Sequence, residues 1–423
     1  MARIEPRVLD TCIADRAEAA FALLERLVEI PSTVGNEQEA QEVVAAQLER
    51  LGFQVERLSI AEAIAGDPHA GVPQGSYEGR YDLLAWRGSP GPVLQLNGHV
   101  DVVPAEEAEL WSSPPFTPVR KDGWLHGRGA GDMKGGFAMA VLALDALAAA
   151  APRLDPPLSF ASVIEEECTG NGTLAALRSG PLPAAAIALE PSDLDLLLGG
   201  IGVLWAEIAV RGRPTVAEAA GCGVNPVDRT LGLVAALREL ERELNDSVDD
   251  PVLAGVSHPY NLNLGVFRAG NWPSCVPSVA RLGVRFGFPR GWSPATAEAR
   301  LRETLTAAAL RDPWLAEHPP EVRCTGFRAE GYALPADHPL AVAVANAHEQ
   351  VNGSRPRPVT PASTSDARWY CNQFAVPALC YGPRARNIHD VDEAVELSSI
   401  VTGARALARL IAEWPLGGFD GQR

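Results

Sequence analysis

Apolar residues recur three and four apart through AEAAFALLERLVEI, where Leu23, Leu24, Leu27 and Val28 form one stripe, and again at Val43, Val44, Leu48 and Leu51. That spacing predicts two amphipathic helices near the start of the chain. Short apolar runs then alternate with alanine-rich helical stretches: VLQLN at 93–97, FAMAVLALDALAAA at 137–150, LSFASVI at 158–164, TLAALRS at 173–179 and AAIALE at 185–190. Such alternation predicts βαβ units and a mostly parallel sheet with helices on both faces.

From Gly199 the rhythm changes. LWAEIAVRG alternates as a strand does, VDRTLGLVAALRELEREL is helical, NLNLGVF and VARLGVRFGF are strand-like, SPATAEARLRETLTAAAL is helical again, and EVRCTGF closes the set. This βαββαβ order over about 130 residues is enough for a small α+β domain of its own. Beyond residue 328 the first rhythm returns, with helix PLAVAVANAHEQV, strand PALCYG at 377–382 and helix LSSIVTGARALARLIAEW. The expected fold class is therefore α/β: a mostly parallel-sheet domain built from 1–198 and 329–423, interrupted by an inserted α+β domain at 199–328. A chain of 423 residues is also too long for one compact core.

Composition narrows the function. Apolar residues at 47% and charged residues at 21% are ordinary for a globular protein. A formal charge of −17 opposes nucleic acid and anionic membrane surfaces, which are polyanions, and favours a small-molecule partner. The seven cysteines are scattered, without a Cys-x-x-Cys pair, and the first residues hold no long apolar segment, so a reducing, cytoplasmic setting is expected.

The chemistry gathers where strands end. VLQLN runs into Gly98-His99-Val100-Asp101, LSFASVI into Glu165-Glu166-Glu167, AAIAL into Glu190, and PALCYG into a loop carrying His389. The carboxyl ends of parallel strands form the ligand crevice of such sheets. Asp132 joins them from GRGAGDMKGG, a glycine-rich turn that opens a helix but lacks the Gly-Lys-Ser/Thr ending of a phosphate loop. A lone strand-end histidine is usually structural, but five compatible groups at one end of one sheet change the balance. Mixed imidazole and carboxylate donors suit zinc or a related ion, and five suit two ions sharing a bridging carboxylate. Asp101, two residues past His99, is placed to hold that imidazole's other nitrogen. Lys134 is expected to anchor its loop or pair with a carboxylate, and Cys168 to be a small buried thiol.

GHVDVVP, GRG through DMKGG, Glu166-Glu167, Glu190-Pro191 and His389 resemble, in order and spacing, the co-catalytic zinc aminoacylase and metallopeptidase family, which includes acetylornithine deacetylase, succinyl-diaminopimelate desuccinylase and glutamate carboxypeptidase. The resemblance covers nearly the whole chain. It implies two zinc ions, for which cobalt can substitute: His99 and Glu190 terminal on one, Glu167 and His389 on the other, Asp132 bridging. Glu166 would be the general base and Asp101 the carboxylate behind His99. The inserted domain would be a lid through which two copies form a homodimer. Arg285 in the lid and Arg368 would grip a substrate carboxylate, as a guanidinium fork can. The implied reaction is cleavage of the amide of an N-acyl amino acid or similar small carboxylate, with a carboxypeptidase or dipeptidase as the alternative.

One family feature is missing. The lid of relatives carries a histidine that reaches the partner's site to stabilise the oxyanion; here the aligned position is Val216, which has no donor. A slow or altered hydrolase, or an impaired homologue that binds carboxylates as a dimer, is the further alternative.

Overall fold

The computed structural model describes residues 5–88 and 93–414, so the outermost expected limits, 1 and 423, lie outside the described residues. Helices α1 (Pro6–Val28) and α2 (Gln38–Arg50) open the fold. They are followed by β1 (Gln54–Ser59), β2 (Tyr81–Arg87), β3 (Leu94–His99), α3 (Gly135–Ala150), β4 (Leu158–Val163), α4 (Asn171–Ser179) and β5 (Ala185–Ala188). Next come β6 (Gly202–Arg211), α5 (Pro226–Asp246), β7 (Leu262–Ala269), β8 (Val279–Phe288), α6 (Pro294–Ala309) and β9 (Glu321–Ala329). Helix α7 (Pro339–Asn352), α8 (Ala367–Gln373), β10 (Ala378–Cys380) and α9 (Leu397–Glu413) complete the chain.

The main sheet runs β1-β2-β4-β3-β5-β10, then the short strands Leu196–Leu197 and Pro358–Val359. Strand β3 is parallel to both β4 and β5, and β10 is parallel to β5. These four parallel neighbours bury every residue, which explains their unbroken apolar character. The edge departs from the expectation. Strands β1 and β2 add antiparallel pairs at one side, and β1 is largely exposed, so its QVERLS carries no apolar alternation to read.

Helix α3 is apolar on nearly all sides because it is enclosed by α1, α9 and the sheet. It is long and apolar enough to cross a membrane together with the preceding turn, but this segment is buried inside the protein and reads as a core helix. Its second residue sets its position: a Cβ at Gly136 would lie 2.1 Å from the Leu189 carbonyl oxygen, so only glycine lets the helix start against the end of β5.

Strands β7-β8-β6-β9 form a separate antiparallel sheet. Leu204, Ala206 and Ile208 on β6 and Leu282, Val284 and Phe286 on β8 pack on α5 and α6, leaving the intervening residues on a helix-free face. Both helices start from a side-chain cap followed by proline: Asn225 accepts from Val227 N and Ser293 from Thr296 N. The two largest apolar clusters divide accordingly. One draws on residues between Leu9 and Leu198 and again from Tyr332 to Trp414, the other on residues from Ile201 to Ala329.

Candidate functional site

The ends of β3, β4, β5 and β10 lie side by side, so the side chains that follow them share one crevice. His99, the last residue of β3, is buried, with Nε2 3.2 Å from Asp132 Oδ1 and 3.7 Å from Glu190 Oε2. His389 comes from the loop after β10, with Nε2 3.0 Å from Glu167 Oε1 and 3.4 Å from Asp132 Oδ2. Asp132 thus presents one oxygen to each imidazole. Donor atoms of His99, Asp132 and Glu167, and of His99, Glu166 and Glu190, lie within 4.8 Å of one another. Every expected ligand position is in this one place.

The tautomer of His99 follows from its other nitrogen. Nδ1 is 2.9 Å from the main-chain carbonyl of Asp101, which can only accept, so Nδ1 carries a proton and Nε2 is the nitrogen turned to the crevice. The Asp101 carboxylate stands behind the same imidazole, its nearer oxygen 3.7 Å from Nδ1, and makes no hydrogen bond to it. That carboxylate instead accepts the backbone N–H groups of Glu166 and Glu167, at 3.3 and 3.2 Å. It fixes the segment that carries both glutamates.

The three consecutive glutamates lie beyond β4, in a turn rather than on the strand, so strand alternation is not what separates them. Glu165, at φ 62°, points away from the crevice. It is fully buried and accepts from Tyr77 Oη at 2.7 Å, Arg80 Nη1 at 2.8 Å and Thr169 Oγ1 at 2.9 Å. Arg80 is held in turn by Glu37. This internal ion pair locks the turn, leaving Glu166 and Glu167 to the crevice.

A further carboxylate, not singled out from the sequence, organises the glycine-rich turn. Buried Glu393 accepts from Gly131 N and Asp132 N on Oε1, each at 2.9 Å, and from Gly129 N at 2.9 Å and Arg128 Nη1 at 2.7 Å on Oε2. Gly129 takes φ 80°, where a Cβ would meet Val102 at 2.5 Å. Lys134 closes the same turn by donating Nζ to the carbonyls of Leu27 and Ile30, at 2.8 and 2.9 Å. Its anchoring role is thus carried by carbonyls.

The electrostatics call for cations. Among the described residues no lysine or arginine pairs with Asp132, Glu166, Glu167 or Glu190. Burial, with Glu190 and Asp366 nearby, pushes the Glu166 carboxyl well above the usual range. Burial also raises Glu190 and Asp101, each to about 7. Burial opposes a charge on His99, but Glu190 and Asp132 outweigh it and raise its affinity for a proton; Glu167 raises His389 to about 11. Asp132 is buried too, yet the two imidazoles hold it far below the usual carboxylate range. Imidazole and carboxylate donors facing one space, with no lysine or arginine paired to them among the described residues, fit divalent metal ions.

The two arginines part company. Arg368 is buried, donating to the carbonyls of Ser365 and Thr169 at 3.0 and 2.9 Å, with its guanidinium against Phe327 and Trp369. It ties α8 to the glutamate turn, which corrects the expectation that it grips substrate. Arg285 on β8 lines the helix-free face of the second sheet, donating Nη2 to the Ala362 carbonyl at 3.1 Å and Nη1 to that of Asn261 at 3.5 Å. Val216 is 53% exposed on a short strand, Thr215–Val216, paired with Cys275–Val276.

The description Peptidase family M20/M25/M40 matches residues 95–413, which contain all five expected ligands, Asp101 and Glu166. The chain belongs to this family. Within it, the M20 chain is 27% identical over 421 residues to N-formyl-4-amino-5-aminomethyl-2-methylpyrimidine deformylase of Halalkalibacterium halodurans, covering 94% of each. It is 32% identical over 394 residues to succinyl-diaminopimelate desuccinylase of Methylobacterium nodulans, covering 90% of this chain and 92% of that enzyme. Its fold is shared by the dipeptidase Dug1p of Saccharomyces cerevisiae, at TM-score 0.77 and 14% identity over 99% of this chain and 100% of that one. It is shared as well by the Bacillus subtilis protein YXEP, described as a dinuclear metal binding peptidase, at TM-score 0.59 and 13% identity over 95% and 99% of the two chains. This M20 protein is accordingly a hydrolase of amide bonds with the α/β catalytic and α+β lid architecture of its family.

Proposed function

We propose that this chain is a dinuclear zinc amidohydrolase that cleaves the amide of an N-acyl amino acid or a similar small carboxylate. The observation that carries the reading is the crevice in which His99, Asp132, Glu167, Glu190 and His389 converge, with no lysine or arginine among the described residues paired to its carboxylates. His99 and Glu190 would hold one ion, Glu167 and His389 the other, with Asp132 between them. Ions bound there would polarise the scissile carbonyl and acidify a water.

Glu166 stands beside the ligands without being needed as one. Its raised proton affinity suits a group that takes a proton from water and passes it to the departing amine nitrogen. Asp101 keeps it in place through the backbone of the glutamate turn. Arg285 is the candidate grip for the substrate carboxylate, since its guanidinium faces the lid cleft without a carboxylate partner among the described residues.

Residues 199–328 would act as lid and dimerisation domain. Strand β7 lies at a free edge of the lid sheet and carries exposed Val266 and Phe267, which supports a homodimer through that edge. All seven cysteines are free thiols, in keeping with a reducing, cytoplasmic setting.

The test is Glu166→Gln. It should retain zinc or cobalt at the wild-type stoichiometry while turnover of N-acyl amino acids falls about 10²- to 10⁴-fold. An active Glu166→Gln protein would remove the assigned base.

A further inference from the structure

The helix-free face of the lid sheet holds a cleft of ≈ 500 Å³ whose charge is opposite to that of the molecule. Arg281 and Arg285 on β8, Arg268 on β7 and Arg323 on β9 line it, against Glu207 on β6 as the one carboxylate in its lining, in a chain of net charge −17. Glu207 is shared between Arg281 at 2.9 Å and Arg323 at 3.3 Å. Arg268 stands directly opposite Arg281 in the strand register, a like-charge pair that costs stability unless an anion lies between. No carboxylate among the described residues pairs with Arg268 or Arg285.

The cleft adjoins the catalytic turn. Trp205 is the cross-strand partner of Arg285. Its ring lies against Gly326, where a Cβ would fall 2.5 Å from the ring and 2.8 Å from the carbonyl oxygen of Cys168, the residue after Glu167. From that end the cleft runs along β8 to Arg281, four residues and about 13 Å of strand away.

We propose that Arg268, Arg281 and Arg323 form a second anion subsite, holding a carboxylate on the part of the substrate remote from the scissile amide. The preferred substrate is then an N-acyl amino acid with a second carboxylate, elongated enough to lie along the lid sheet while its first carboxylate meets Arg285. This rests on the amidohydrolase reading above. Guanidinium forks suit both carboxylates, and the cationic cleft in an acidic molecule steers the dianion to the site.

The experiment compares kcat/KM for N-acetyl and N-glutaryl amino acids in the wild type and in the double variant Arg268→Gln/Arg281→Gln. The wild type should favour the N-glutaryl substrate by about tenfold or more, chiefly through KM, and the double variant should lose that preference. No preference in the wild type, or the same preference in the variant, overturns the subsite. Calorimetric binding of N-glutaryl-glycine to the Glu166→Gln protein separates the two levels of inference. Binding that weakens in the cleft variant, with no turnover of any N-acyl substrate by the wild type, keeps the subsite and removes the hydrolase reading. Turnover without preference, and binding indifferent to the arginines, does the reverse.

Discussion

At the residue scale, carboxylates of one chemical type take four different tasks according to what surrounds them. Glu165 is consumed by Arg80, Glu393 by four donors of the glycine turn, Asp101 by two backbone N–H groups, and only Glu166, Glu167, Glu190 and Asp132 remain turned to the crevice. Four of the five ligands were legible in the sequence because they follow apolar strands, and Asp132 because it sits in the glycine-rich turn that opens a helix. Glu393 was not, since nothing in DVDEAVE distinguishes an acid turned inward from one in solvent. Its role gives a prediction. In Glu393→Gln one end of the carboxamide becomes a donor facing donors, so the Asp132 turn loosens; metal affinity, measured by competition with a chelator, should fall about 10- to 100-fold. Unchanged affinity would mean that the turn is held without Glu393. The arginines show the opposite limit of sequence reading, because Arg368 and Arg285 were both candidates until the burial of one and the cleft around the other separated them.

At the element scale, the central strands, the long helices and the βαββαβ order of the lid were readable because their periodicity reports burial. Strands β1 and β2 were not. They are antiparallel additions at the sheet edge, and β1 has only half-buried or exposed positions, so its pattern carries little of the contrast on which such reading depends. The two-stranded lid ribbon that bears Val216 is a different case: short paired strands whose importance comes from what they would reach. A valine cannot donate to a developing oxyanion, and one such donor is typically worth about 10²- to 10³-fold in kcat. Val216→His should therefore raise kcat on the true substrate. A rate that stays the same or falls would show that another group already serves as donor, or that the ribbon does not reach a site.

At the scale of the whole molecule, the change of rhythm at Gly199 and its return after residue 328 made two packing units legible, while the cationic cleft on the lid arises only when four strands are placed side by side. The same convergence at the metal crevice ties stability to pH. Burial raises Asp101 and Glu190 to about 7 and Glu166 in the same direction. A carboxyl raised on folding stabilises the native state fully below its unfolded value of about 4, and that contribution is lost as pH climbs to the folded value. Asp132 shifts the other way and is affected only below that window. Metal-free protein should thus lose thermal stability between about pH 4 and pH 7, and the rise in Tm on adding zinc should grow across the same interval. Calorimetry of both forms checks this, and a zinc effect that shrinks with rising pH would contradict it. The central claim is tested most directly by titrating metal-free protein with zinc while following hydrolysis of the N-acyl amino acid it turns over best. Activity should be absent at the start and rise to a plateau as two equivalents bind; full turnover by the metal-free chain would contradict the account.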